Sequence, residues 1–314
     1  MQRFKNIVVV INPEGGNDAL MARARWLAET NGAALTLMHV IDTTPGALAR
    51  IAGARAKEVE DKVHAFHAEQ LADLAAPLRA EGMDVNTRLL DGVGFIEIIR
   101  HVLKNGNDLV MKAADRTPVR SVLAGPDLHL LRKCPTPVWI LNSAAEPNAR
   151  RIAVAVDPDP SDEIRDGLAH KVMQMATSLA RHDDAKLDVV HAWYLYEESA
   201  LRSSLVKAPA SEVDAMLKQA EGESAERLAK LMADFTEFDD LTRVVHVKGI
   251  AEDVITEHAE TERVDTLVLG TLGRAGLQGL FIGNAAETVL NRVGCSVLAV
   301  KPEGFMSPVT LDDD

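Results

Sequence analysis

Residues 265–287 read Asp265-Thr-Leu-Val-Leu-Gly270-Thr-Leu-Gly273-Arg274-Ala-Gly-Leu-Gln-Gly-Leu-Phe-Ile-Gly283-Asn284-Ala-Ala-Glu287. The apolar run that stops at Gly270 is typical of a parallel strand buried on both faces. After Gly283, apolar residues fall at helical spacing, and Glu287 lies in the first turn, where a helix dipole favours negative charge. This stretch therefore predicts a strand, a glycine-rich loop and a helix.

This order of elements can present free backbone amides to an anion. The first N–H groups of a helix have no intrahelical acceptor, and glycines let the backbone approach phosphate oxygens. The spacing Gly270-x2-Gly273-x9-Gly283 is thus compatible with a phosphate-binding loop. A glycine-rich loop alone is weak evidence, because the same glycines could simply turn the chain between strand and helix.

Length and composition restrict the class of protein. At 314 residues the chain suggests about two domains. Apolar residues make up 47% of the chain and aromatic residues only 4%, which predicts an aliphatic interior of the kind found in layered α/β structure. The net charge of −13 argues against a nucleic acid or an anionic membrane as a constitutive partner.

Cysteine usage and hydropathy point to a cytoplasmic protein. The only cysteines, Cys134 and Cys295, stand beside predicted strands and indicate small core residues in a reduced compartment rather than a disulfide framework. No apolar run approaches the roughly 18 residues of a membrane span, and the first apolar run, residues 7–11, is too short for a signal peptide.

The first half alternates predicted strands with predicted helices. Asn17 is expected to cap the first helix, and Gly32 to close it. Alternation at this spacing implies right-handed βαβ crossovers and a parallel sheet with helices on both faces. The predicted strands are Ile7–Ile11, Leu35–Ile41, Val85–Leu90, Asp108–Met111 and Pro137–Leu141, and the later helices fall within Ala47–Glu81, Phe95–Leu103 and Leu128–Arg132.

The second half repeats the first. After a small, polar linker at residues 143–149, the pattern restarts at Arg150. The sequence therefore predicts two tandem α/β units, each a five-stranded, parallel, doubly wound sheet. Their expected ranges are 1–142 and 150–303, followed by an extended acidic tail at 304–314.

The two units resemble a tandem member of the universal stress protein family. In each unit the first strand ends in a polar residue, Asn12 or Asp157, and the second contains a histidine, His39 or His191. The likeness covers nearly the whole chain and implies the fold that this family shares with adenine nucleotide alpha hydrolases. Three stretches carry it further: Leu130-Leu-Arg-Lys-Cys134-Pro-Thr-Pro-Val-Trp139, Leu269-Gly-Thr-Leu-Gly273-Arg, and the tail Ser307-Pro-Val-Thr-Leu-Asp-Asp-Asp314.

The resemblance implies a set of nucleotide-binding positions in the second unit. Asp157 matches an acid near the ribose and the phosphate or metal, and Ala192 matches the residue whose backbone meets adenine. Gly270, Gly273, Gly283 and Asn284 match the phosphate loop, and Arg274 is a further candidate for pairing with phosphate. Asn284 departs from the serine or threonine usual in the family, and its carboxamide is a bulkier donor. Asp157 could instead only cap the loop that follows it.

The first unit differs at the corresponding loop. Placing Gly283 on Gly125 sets Gly270 on Lys112, Gly273 on Asp115 and Asn284 on Pro126. Asp115 would bring a carboxylate close to any phosphate, and Pro126 has no amide to donate. We therefore expect the first unit to be structural or to hold a different ligand.

Catalysis is not indicated, because the sequence offers no nucleophile with its base and no metal cluster. His64 and His67 lie one turn apart without a third ligand, so no metal is assigned, and His39 and His191 are expected to be core or contact residues. There is no Walker A motif, and the Rossmann fingerprint is missing after the first strand of each unit.

Three functional hypotheses follow. The first is a non-enzymatic, cytoplasmic stress-response protein whose second unit binds an adenine nucleotide (ATP, ADP or AMP), with Mg²⁺ as a candidate companion ion. The second is a tandem scaffold that takes an apolar or lipid-like ligand, or none, and acts through protein contacts. The third is a weak ATPase.

The resemblance also implies how the two units pack. Single-unit members of the family dimerise through their last strands, so the two linked units are expected to form an internal pseudo-dimer. The contact strands would be Pro137–Leu141 and Ser296–Val300. Pairing of two whole chains into a homodimer stays open.

Overall fold

The computed structural model describes residues 4–42, 56–114, 125–142, 149–203, 206, 208–271 and 283–311. Its centre is one ten-stranded sheet with the strand order β3-β2-β1-β4-β5-β10-β9-β6-β7-β8. The strands are β1 Asn6–Val10, β2 Ala34–Asp42, β3 Val85–Gly92, β4 Leu109–Ala113, β5 Val138–Leu141, β6 Arg151–Ala155, β7 Lys186–Trp193, β8 Thr242–Lys248, β9 Thr266–Gly270 and β10 Ser296–Val300.

Helices cover both faces of this sheet, as expected for βαβ crossovers. Those in the described residues are α1 Asp18–Asn31, α2 Ala56–Ala80, α3 Gly94–Asn105, α4 Gly125–Lys133, α5 Glu163–Asp183, α6 Glu198–Leu201, α7 Ala210–Ala233, α8 Ala251–Thr261 and α9 Asn284–Arg292, with a 3₁₀ turn at Thr236–Phe238.

Burial explains why the central strands are apolar without alternation. All five residues of β10 are buried, and Val8 and Val9 in β1 are fully buried although they point to opposite faces. Strands covered by helices on both faces require apolar side chains at every position. The strand at one edge, β8, has a free side and is mostly exposed or half-buried.

The two units have the same topology and join through their last strands. Within each unit all strand pairs are parallel, whereas β5 and β10 pair antiparallel, with Trp139 opposite Leu298. The predicted contact between the last strands is therefore present. Each face of the sheet carries a hydrophobic core with members from both units.

Charged and aromatic side chains reinforce the contact between the units. Arg23 of α1 forms a buried ion pair with Asp183 at the end of α5, at 2.5 Å. The Arg23 guanidinium also lies 4.5 Å from the Trp26 ring centre and 4.8 Å from that of Trp139. The tail returns to the first unit, where the Arg100 side chain donates to the Thr310 carbonyl at 3.2 Å.

Two details differ from the sequence predictions. Asn17 occupies the N-cap position of α1, but its carboxamide bonds to the main chain of Asn12, at 2.9 and 2.7 Å, and caps no helical N–H. The long helix begins at Ala56, and the part of the Ala47–Glu81 prediction before that residue lies outside the described residues. The linker prediction at 143–149 also lies outside them, apart from Ala149.

No helix in the described part of the chain is long and apolar enough to cross a bilayer.

Candidate functional site

The second unit has its topological switch point at the carboxyl ends of β6 and β9. The chain leaves β6 for β7 on one side and returns to β9 on the other side of β6. In doubly wound sheets, ligands bind in the crevice at this point. Asp157 follows β6 and Gly270 ends β9, so these two predicted residues flank the crevice.

The two ends of the glycine-rich segment meet next to this crevice. Gly283 is the N-cap of α9, and its N–H donates to the carbonyl of Thr271 at 3.3 Å. Asn284 is the first residue of α9 and is exposed. Gly273 and Arg274, also predicted as site residues, lie outside the described residues.

The packing of Leu168 against β9 leaves no room for a side chain at Gly270. A Cβ at this position would lie 2.6 Å from Cδ2 of Leu168 in α5 and 2.8 Å from its Cγ. These distances are too short for carbon atoms, so Leu168 fills the space that a side chain would need. Gly270 thus brings α5 close to the end of β9, whatever it does for a ligand.

Among the described residues, no capping side-chain bond is made by the N-cap of α9. Gly283 makes no side-chain cap bond, and the first intrahelical bond runs from Glu287 N–H to the Gly283 carbonyl at 2.9 Å. The three residues between them, Asn284, Ala285 and Ala286, are uncharged. Their N–H groups come before the first intrahelical donor, which is the arrangement that attracts anions to helix ends.

The first unit fills the same place with its own ion pair. Asp127, the third residue of α4, is fully buried, and its carboxylate lies 2.9 Å from the Lys112 ammonium group. An internal carboxylate therefore already faces the positive end of α4, and Lys112 neutralises it.

The structure corrects the sequence-based alignment of the two loops. The carboxylates of Asp108 and Asp265 accept equivalent backbone bonds at the starts of their strands, which places Gly270 on Ala113 and not on Lys112. The equal nine-residue helices α4 and α9 place Asn284 on Gly125 and not on Pro126. On this register Pro126 corresponds to Ala285. The second loop is therefore two residues longer than the first, and one fixed offset cannot align both of its sides.

In structural register, the Lys112 and Asp127 pair corresponds to two apolar residues of the second unit. Lys112 falls on Leu269 and Asp127 on Ala286, and both of these are buried. The second unit therefore has no carboxylate at this position, and the acid in the first turn of α9 is Glu287, one residue later.

Ala192 lies at the carboxyl end of β7, as expected for a residue that offers its backbone to a ligand. The carbonyl of Val190, two residues earlier, accepts the N–H of Val156 at 3.0 Å. Backbone groups of alternate strand residues point to the same side. The N–H and C=O of Ala192 thus point past the end of β6, towards the crevice.

Behind this edge, two histidines and a serine form a network that sequence reasoning missed. His191 Nδ1 lies 2.8 Å from the Val156 carbonyl, and Ser224 Oγ lies 2.9 Å from Nε2 of both His191 and His246. Since a carbonyl only accepts, His191 Nδ1 carries the proton. Burial lowers the pKa of His191, so it is neutral, Ser224 donates to its Nε2, and His246 donates to Ser224. Both nitrogens of His191 are engaged in structural bonds.

Asp157 is paired with an arginine that sequence reasoning also missed. One guanidinium nitrogen of Arg165 in α5 donates to Asp157 Oδ2 and the other to Asp159 Oδ2, both at 2.6 Å. The pair fits Mg²⁺ poorly, because Arg165 holds one oxygen of each carboxylate and Ser161 donates to the other oxygen of Asp159. Among the described residues, no group of three or more His, Cys, Asp or Glu side chains is arranged to hold a metal ion.

The first unit has its own cleft at the equivalent edge. It encloses about 170 Å³ next to the ends of β1, β2 and β4. Its walls are mainly apolar, and the lining side chains include Val40, Phe95, Ile98 and Leu130, with Lys112 on one side.

Comparisons with known proteins agree with the doubled fold. A model of the Universal stress protein family matches residues 3–142 and again 148–301. Universal stress protein E of Escherichia coli strain K12 is 26% identical over 318 residues, covering 100% of this chain and 99% of that protein. The Universal stress protein E homolog of Haemophilus influenzae is 27% identical over 308 residues, covering 96% and 98%.

Two solved structures share the architecture along most of their length. A functionally unknown protein from Pseudomonas aeruginosa PAO1 superposes with a TM-score of 0.73 at 25% identity, covering 96% of this chain and 94% of that one. A universal stress protein from Archaeoglobus fulgidus DSM 4304 gives a TM-score of 0.64 at 14% identity, covering 94% and 98%. At 14% identity the likeness concerns the fold alone.

Proposed function

Because this chain belongs to the universal stress protein family, we propose that it is a non-enzymatic, tandem stress-response protein whose second unit binds an adenine nucleotide. The nucleotide would occupy the crevice between the ends of β6 and β9. Adenine would meet the backbone of Ala192, and the phosphates would meet the N-terminus of α9. The proposal includes a cytoplasmic location.

The contrast between the two units carries this proposal. In the first unit this position of the helix end is already occupied by an internal carboxylate, because the buried Asp127 lies there in an ion pair with Lys112. In the second unit the corresponding residues are Leu269 and Ala286, and Gly283 at the N-cap of α9 offers no side-chain cap. First-turn amides that have no intrahelical acceptor favour an external anion at a switch point, although the half-buried Glu287 also lies in the first turn of α9.

Isothermal titration of the full chain with ATP and AMP tests the proposal, with Ala285→Pro as the decisive variant. Proline at Ala285 removes one amide from the phosphate site. The helix should tolerate it, because first-turn N–H groups have no intrahelical acceptor and α4 already has Pro126 at the same position. Losing a hydrogen bond to a charged group should weaken ATP binding about tenfold or more.

Ala285→Ser is the matched control, because it keeps the amide and should bind ATP like the unmodified chain. Pro126→Ala, in the first unit, should also leave the titration unchanged. Absence of heat with both nucleotides at millimolar concentration would remove the nucleotide proposal.

The cleft of the first unit favours a second candidate function, binding of a small apolar or lipid-like ligand. Its volume of about 170 Å³ and its apolar walls suit such a molecule better than a phosphate. Mass spectrometry of molecules that remain bound through purification distinguishes the candidates. An apolar compound lost on Ile98→Trp would support the second one, and a nucleotide lost on Ala285→Pro would support the first.

A further inference from the structure

Resting on the proposed function, we infer that Arg165 takes the place of a divalent cation beside Asp157, so that the second unit binds metal-free nucleotide. The inference concerns which form of the nucleotide is recognised. Arg165 is then a residue that determines specificity.

The first support is the geometry of the bridge. The Arg165 guanidinium donates through separate nitrogens to Asp157 and Asp159, both at 2.6 Å. Charge-assisted hydrogen bonds of this kind are stronger than neutral ones, and the planar fork of arginine fixes their direction. Arg165 is thus committed to the two carboxylates at the crevice edge.

The loop between β6 and α5 holds the arginine in this position. Asp162 caps α5 by accepting the N–H groups of Ile164 and Arg165, both at 3.1 Å. Ser161 donates to Asp159 from its hydroxyl at 2.6 Å. Burial alone would lower the pKa of Arg165, but Asp157, Asp159 and Asp162 raise it overall.

The second support comes from the repeat within the chain. In both units the first strand ends eight residues before the helix begins, so Asn12 corresponds to Asp157 and Leu20 to Arg165. The first unit therefore lacks both the acid and the arginine. Its Asn12 carboxamide oxygen instead accepts the Glu14 N–H at 3.0 Å. The second unit thus has both the aspartate and the arginine, and the first unit has neither at the corresponding positions.

Charge and coordination chemistry connect this pair to the ligand. A bare carboxylate at Asp157 would repel a phosphate, and a metal ion could compensate by bridging that carboxylate and the phosphates. Mg²⁺ demands octahedral oxygen coordination and dehydrates reluctantly, so it gains little from oxygens that arginine already holds. The guanidinium offsets one of the two carboxylate charges without a metal, and metal-free ATP and AMP become the preferred ligands.

Titration of the full chain with ATP, once in excess Mg²⁺ and once in EDTA, tests the inference. The unmodified chain should bind metal-free ATP at least as tightly as Mg²⁺-ATP. Arg165→Leu, which copies Leu20 of the first unit, should lose about tenfold or more for metal-free ATP and should bind better with Mg²⁺ than without it. Arg165→Lys keeps the charge and should retain most binding in EDTA.

Arg181→Leu is the matched control, because Arg181 lies at the other end of the same helix and should leave the ratio of the two affinities unchanged. Binding that requires Mg²⁺ in the unmodified chain would overturn the inference and leave the nucleotide proposal standing. Binding in EDTA that Arg165→Leu leaves intact would overturn the role of Arg165. No binding in either buffer would remove the nucleotide proposal and this inference with it.

Discussion

Lys301 places an amine inside the contact between the two units. It follows β10 and is 3% exposed. Its ammonium group donates to the Arg132 carbonyl at 3.0 Å and lies 4.6 Å from the Phe305 ring centre. Burial lowers the pKa of Lys301 to about 7, whereas a lysine in an unfolded chain titrates at about 10.4.

The shift in Lys301 predicts a pH dependence of stability. Between about pH 7 and 10.4 the unfolded chain binds more protons at this site than the folded chain. This lysine therefore makes the free energy of unfolding rise with pH across that window. Below pH 7 the amine is charged in both states, and the full free-energy penalty of burying that charge is present. Lys301→Met removes the cost and should stabilise the protein by roughly 1–3 kcal/mol at pH 6, with a smaller gain at pH 9.

Urea denaturation at pH 6 and pH 9 measures this difference. Lys218→Met, at an exposed lysine of α7, is the control and should change stability equally at both pH values. An equal gain at both pH values for Lys301→Met would mean that the amine is not desolvated as its burial indicates.

At the residue scale, sequence reasoning located acids and glycines better than their partners. Asp157 was named as a binding residue because the family resemblance implies an acid after the first strand of the unit. Arg165 was missed because an arginine in a helix usually indicates a solvated face, and only the folded loop brings it back to Asp157. The available signal was the exchange of Leu20 for Arg165 between the repeats. Lys112 gave a similar signal, since a charge inside a buried strand requires a partner.

At the scale of elements, the contact between α5 and β9 depends on the missing side chain of Gly270. Gly270→Ala should destabilise the protein by about 1–3 kcal/mol, because the new methyl group overlaps Leu168. Leu168→Ala opens that space at its own cost, and the double variant should lose less than the sum of the two single losses.

Urea unfolding of the four proteins in this cycle measures the coupling. Gly167→Ala serves as the control, because a Cβ at Gly167 meets nothing within 4 Å. Additive losses in the cycle would show that Gly270 is glycine for a reason other than Leu168.

Hydrophobic periodicity predicted the strands and most helices, since burial on both faces imposes their composition. Helix caps and loop conformations were harder to predict, because a polar side chain there can form any of several competing local hydrogen bonds. Asn17 illustrates the competition, as its side chain bonds to Asn12 instead of the helix. The loop after β9 illustrates a second limit, since a length difference between repeats shifts the alignment of everything on its far side.

At the scale of the whole molecule, the antiparallel pair of β5 and β10 turns two similar units into one sheet. The resemblance to single-unit dimers predicted this contact, whereas the side chains around it were not predicted. The buried ion pair of Arg23 with Asp183 joins residues 160 positions apart. No local pattern in the sequence predicts a contact between residues so far apart.

In a chain with two copies of one unit, only one copy needs to retain the ligand-binding site. We assign the external anion to the second unit, because the first unit already holds an internal ion pair at the equivalent helix end. The molecule should therefore be asymmetric, with one nucleotide per chain despite two copies of the fold.

Native mass spectrometry of the full chain with increasing ATP counts the bound nucleotides directly. We predict saturation at one ATP per chain, reduced occupancy in Ala285→Pro, and unchanged occupancy in Pro126→Ala. Two ATP molecules per chain, or one that persists in Ala285→Pro and is lost in a first-unit variant, would contradict the assignment of the site to the second unit.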